Sequence, residues 1–129
     1  MPIAAIAAIV ATALLAVLVA FQLALAVGAP LGDMSWGGRH AGVLPTRLRV
    51  ASAVAGLVLY PLMAVVFLGA GGVIGDEWLP VDPAIAMWIL AGFFAIGMIV
   101  NAISRSPRER IWSPVSAVIG ICAIVLALG

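Results

Sequence analysis

The side chains with chemistry to offer are few and crowded. Asp33, Trp36, Arg39 and the sole histidine, His40, fall in a glycine-rich stretch from Gly28 to Pro45, with Arg47 and Arg49 close behind. Gly37 and Gly38 let backbone amides approach an anion, and the arginines add charge. That combination suits a phosphate or an anionic lipid head group. Arg105, Arg108 and Arg110 form a second basic run of the same kind. The plainer reading is a tight turn whose arginines set orientation in a membrane.

His40 with Asp33 forms the one conceivable acid–base pair, since imidazole titrates near neutrality and a carboxylate can orient it. Proximity in sequence does not make the two meet, and an interfacial histidine without chemistry is the simpler expectation. Thiol redox needs two exchanging cysteines, whereas Cys122 stands alone in an apolar run. One His, one Cys and no clustered carboxylates support neither a transition metal nor haem, so no cofactor and no metal site is expected. Two short arginine clusters without a soluble domain argue against nucleic acid as a partner. All five acidic residues fall in connections or at the ends of apolar runs. A proton-coupled exporter would normally carry an ionisable group within the bilayer.

The elements that must position these residues follow from composition. Of 129 residues, 66% are hydrophobic and 9% charged, against about 25% charged in soluble domains. A water-soluble globule is excluded. Four apolar runs of spanning length occupy residues 3–27, 50–73, 84–103 and 111–128. The first has no basic residue before it and is long for a signal core, so it is read as a retained helix. The expectation is all-α: a four-helix transmembrane bundle forming a single domain over residues 1–129.

Orientation follows from the arginines. All six lie in the first and third connections, while the second carries Asp76, Glu77 and Asp82 and no base. The positive-inside rule then makes the arginine face cytoplasmic and both termini external, N-out and C-out, in a plasma (inner) membrane. Trp78 and Trp88 fall near one interface, Trp36 and Trp112 near the other. Arginine without any lysine hints at a GC-rich bacterial genome.

Local signals mark the helix starts. Asp82-Pro83 and Ser113-Pro114 each offer an N-cap followed by Pro at the first helical position, and Ser106-Pro107-Arg108-Glu109 reads as a capping box. Pro61 removes a backbone donor in mid-membrane, freeing the carbonyl of Leu57 and bending its helix. Adjacent Tyr60 then needs a hydroxyl partner.

Small residues should hold the helices together. Ala4, Ala8, Thr12, Ala16, Ala20, Ala24 and Gly28 recur every four residues as a ridge that drifts about 40° per step. Another helix is expected along it. Gln22, Ser52, Asn101 and Ser104 converge in depth toward the arginine end, as interhelical glue or as the lining of a vestibule. From this sequence the leading expectation is a non-catalytic accessory subunit of a larger membrane complex for transport or respiration. Its basic loops would meet anionic lipid head groups or neighbouring subunits. The alternatives are a small homo-oligomeric transporter or channel running past Tyr60, Pro61, Gln22 and Asn101, and an enzyme acting on a lipid-borne phosphate through His40 and Asp33.

Overall fold

The computed structural model describes residues 2–129 and is all-helical, with four helices long and apolar enough to cross a membrane. They are α1 (Ile3–Ala26), α2 (Thr46–Ala70), α3 (Pro83–Ala102) and α4 (Trp112–Leu128). Two 3-10 turns, Gly32–Met34 and Trp36–Gly38, punctuate the first connection, and a third, Glu109–Ile111, leads into α4.

Glycine ends two of the helices. Past α1, Gly28 adopts φ 100° and Ala29 N–H donates to the Ala24 carbonyl at 2.9 Å; past α2, Gly72 adopts φ 72° and Val73 N–H donates to the Leu68 carbonyl at 3.0 Å. Both closures need a left-handed residue that glycine supplies without steric cost. Hence α2 stops at Ala70, short of the expected Val73. It also starts earlier than Val50, because the helix runs outward past its arginines. Arg49 Nε then donates to the Ala26 carbonyl at 3.0 Å, helping to close α1.

At α3 the expected cap forms, with Asp82 Oδ1 accepting from Ala84 N–H at 2.8 Å. Two other caps do not. Ser106 Oγ donates to the Asp33 carbonyl, so the capping box is absent, and Ser113 Oγ donates to the Met98 carbonyl at 2.9 Å, so α4 begins at Trp112. Each serine finds an acceptor on another element, which spacing along the chain does not reveal.

The bundle divides into a packed half and a hollow half. Ala7, Ala8, Ala11 and Leu15 of α1 meet Met63 and Phe67 of α2, Met87 and Ala91 of α3, and Ile119, Cys122 and Ala123 of α4. All of these lie toward the end opposite the arginines. Within the bundle α1 pairs extensively with α2 and α3 with α4, α1 also packs on α4, and α2 meets α3 more sparsely. The small-residue ridge is therefore used only in part. Ala8 is fully buried, but Ala16 and Ala20 face outward, because a four-residue repeat walks around a 3.6-residue helix.

Pro61 sits where α2 leaves the packed half. Its missing donor is accommodated by a π turn over Ala55–Leu59, in which Tyr60 N–H bonds to the Ala55 carbonyl. Such a turn carries one extra residue and rotates the faces beyond it by about 100°. Gly56 keeps α2 on α1 here, since a β-carbon would come within 2.9 Å of Leu23 Cδ2.

Between α1 and α2 the approach is strictest at Gly71, where a β-carbon would collide with Ala8 Cβ and lie 2.9 Å from the Ala4 carbonyl. Gly71→Ala should cost about 1–3 kcal/mol through overpacking. Gly92→Ala meets nothing within 4 Å and should gain about 0.5–1 kcal/mol in helix propensity. Thermal unfolding in detergent compares them; equal midpoints would refute a tight α1–α2 contact at Gly71.

Candidate functional site

The two arginine-bearing connections fold onto one another, and Glu109 is their centre. It is 5% exposed. Ser104 Oγ donates to its Oε1, and Gly37 N–H, from the other connection, donates to Oε2 at 3.2 Å. Ser106 Oγ reaches the Asp33 carbonyl, while Trp112 Nε1–H donates to the Met34 carbonyl at 3.0 Å. Arg108 holds both carboxylate oxygens of Asp33, at 3.0 and 3.1 Å, in the one ion pair among the described residues. A buried carboxylate needs donors on its oxygens, and here they come from two segments far apart in sequence.

The clamp shapes the loop. Trp36 is held at φ 53° and is followed by Gly37 and Gly38 at φ 77° and 72°. For tryptophan that conformation costs about 1–2 kcal/mol, so its surroundings must impose it. The bond from Gly37 to Glu109 and the close fit of Gly38 against Ser106 do so.

Inside this roof, in the hollow half, lies a cavity of about 360 Å³ bordered by all four helices. Six of the chain's nine aromatic residues line it: Phe21, Trp36, Tyr60, Phe93, Phe94 and Trp112. Phe21 and Trp112 form a tilted ring pair with centroids 4.6 Å apart. Gln22, Asn101, Ser35, Ser116 and Glu109 supply the polar lining. The oxygens Gln22 Oε1 and Ser35 Oγ are buried without hydrogen-bond partners. Exposed Phe93, Ile96 and Val100 border the cavity on the α3 side.

The polar residues expected to converge are thus redistributed. Gln22, Tyr60 and Asn101 share the cavity, with no hydrogen bond between the two amides; Ser104 is taken by Glu109; Ser52 is fully buried, unpartnered and away from the cavity. The expected anion-binding residues also separate. Gly37, Arg39 and Arg105 line a second cavity with Ser104, of about 440 Å³. Arg110 Nε donates to the Ser104 carbonyl at 2.9 Å, Arg49 closes α1, Arg108 engages Asp33, and Arg47 is exposed in the first turn of α2. His40 makes no side-chain hydrogen bond, and Asp33 is spent on Arg108, so no acid–base pair is assembled.

Glu109 lies at the end of a span, as expected of every acidic residue in this chain, and from there it also borders the cavity. The sequence reading passed over Met34, Ser35, Ser106 and Ser116 as site residues. The available signal was a lone acid inside an arginine run, three residues before Trp112. Comparison with protein-family models, curated proteins and solved structures found no match for this chain.

Glu109→Ala would leave Ser104 Oγ and Gly37 N–H without their acceptor, at a cost of about 1–3 kcal/mol. Amide exchange across residues 31–40 should accelerate. Asp33→Ala breaks a largely exposed ion pair worth less than about 1 kcal/mol, so exchange there should barely change. Hydrogen-exchange mass spectrometry separates the two; equal protection in both variants would remove Glu109 from its central role.

Proposed function

We propose that this protein is a non-catalytic accessory subunit of a larger membrane complex, in the plasma membrane of a bacterium. Its arginine end faces the cytoplasm and both termini lie outside. One observation carries the non-catalytic part: both carboxylates of the two connections are engaged in fastening those connections together. Asp33 engages Arg108, Glu109 receives Ser104 and Gly37, and His40 is left without a carboxylate partner. A lipid-phosphate enzyme would need the pair that this arrangement withholds. The joined loops instead present a fixed basic surface. There Arg39 and Arg105, from different connections, flank a cavity suited to an anionic head group.

The orientation is supported by the fold, since both basic connections share one end. In a Cys122→Ala background, Ala41→Cys should react with a membrane-impermeant maleimide only after the cells are opened. Reaction in intact cells would invert the topology. For the subunit reading, a tagged copy at native expression should recover a larger membrane complex in mild detergent with fixed stoichiometry. Recovery of homo-oligomers alone would overturn it.

A second reading has a specific observation in its favour. Gln22, Tyr60 and Asn101 border one cavity next to the Pro61 discontinuity, as a small transporter or channel would require. That reading predicts solute flux into protein-loaded liposomes above empty ones. Flux indistinguishable from empty vesicles would discard it.

A further inference from the structure

We propose that the aromatic-walled cavity beneath the joined loops binds an organic ammonium ion, an apolar or aromatic body carrying a primary or secondary amine, with its N–H groups toward Glu109 and Gln22. The inference stands apart from whether the chain acts alone or within a complex.

Three independent features of the wall define the ligand. The first is charge. Glu109 is a buried carboxylate whose two oxygens each accept one bond from a neutral donor; beside it in sequence Arg108 is committed to Asp33 and Arg110 to the Ser104 carbonyl, while Arg39 and Arg105 are exposed on the surface cavity and form no ion pair with it. A buried charge without a counter-charge is costly, and a cation in the adjoining cavity would offset that cost. The second is a pair of unsatisfied polar atoms. Gln22 Oε1 and Ser35 Oγ are unpartnered, and Ser35 is only 7% exposed. Ser35 Oγ can accept or donate, but Gln22 Oε1 only accepts, so a ligand that satisfies it must donate a hydrogen bond, as primary and secondary amines do and quaternary ones do not. The third is the six aromatic residues that line the cavity from all four helices and the first connection, whose faces attract cations and whose area suits an apolar body.

The volume of about 360 Å³ falls at the lower end of small-ligand sites. Exposed Phe93, Ile96 and Val100 beside the cavity give the apolar body a route from the bilayer flank. The ligand then need not cross the arginine surface, which would repel it.

The test uses the whole protein in phosphatidylcholine nanodiscs, titrated with 4-phenylbutylammonium, its neutral isostere 4-phenylbutanol and its anionic counterpart 4-phenylbutyrate. Tryptophan fluorescence reports binding, because Trp36 and Trp112 line the cavity, and empty discs measure partitioning into lipid. The ammonium should bind saturably and about tenfold or more tightly than either analogue, a preference equal to about 1.4 kcal/mol. Glu109→Gln should remove that preference. Gln22→Leu should weaken the ammonium about three- to tenfold while leaving the unfolding midpoint unchanged or higher, since it replaces an unpaired buried polar group by an apolar one. If Glu109→Gln does not fold, the three-probe comparison and Gln22→Leu decide. Equal affinity for alcohol and ammonium, tighter binding of the carboxylate, or ammonium uptake no greater than in empty discs would each overturn the proposal.

Discussion

The arrangement of the arginine end depends on one constraint: a carboxylate removed from water must be given hydrogen-bond donors. Glu109 meets it with Ser104 from its own connection and the backbone of Gly37 from the other. That requirement draws residues separated by more than seventy positions into one structure. It pins Trp36 in a left-handed conformation over the cavity and leaves Met34 where Trp112 can reach its carbonyl. The Asp33–Arg108 pair adds to the junction from outside, where water screens it.

The second constraint is the absence of a hydrophobic drive between helices in lipid, so that association rests on close packing. The chain meets it at one end only. Ala4 and Ala8 against Gly71, with Ala7 and Ala11 nearby, draw α1 and α2 together, and Met87, Phe67 and Ile119 fill the remaining interior. Toward the arginines the side chains become aromatic and polar, α2 changes phase at its π turn, and the helices enclose space. The packed half holds the bundle together so that the other half can remain hollow.

These constraints join at Glu109, which closes the loop junction on one side and borders the cavity on the other. The same placement withdraws Asp33 from His40 and sets Arg39 beside Arg105 on the outer surface. The six arginines thereby divide among an ion pair, two carbonyl contacts, a surface cavity and one exposed side chain.

The sequence by itself determined the helical class, the four spans, and the segregation of arginines from the acidic connection, because hydrophobic length and charge are summed locally along the chain. It also determined the Asp82 cap and the discontinuity at Pro61, which are backbone effects within one turn. Only the tertiary structure decided where Ser106, Ser113, Ser104 and Glu109 spend their hydrogen bonds. A polar side chain takes the best partner in reach, and for these residues reach is set by how two distant connections meet rather than by spacing. For the same reason the ridge from Ala4 to Gly28 was legible as a pattern but not as an interface: its four-residue period turns past the neighbouring helix, and which part is covered depends on where that helix lies. The cavity was beyond the sequence altogether. It is space left between helices whose separation is fixed elsewhere, by alanine and glycine at the opposite end of the bundle.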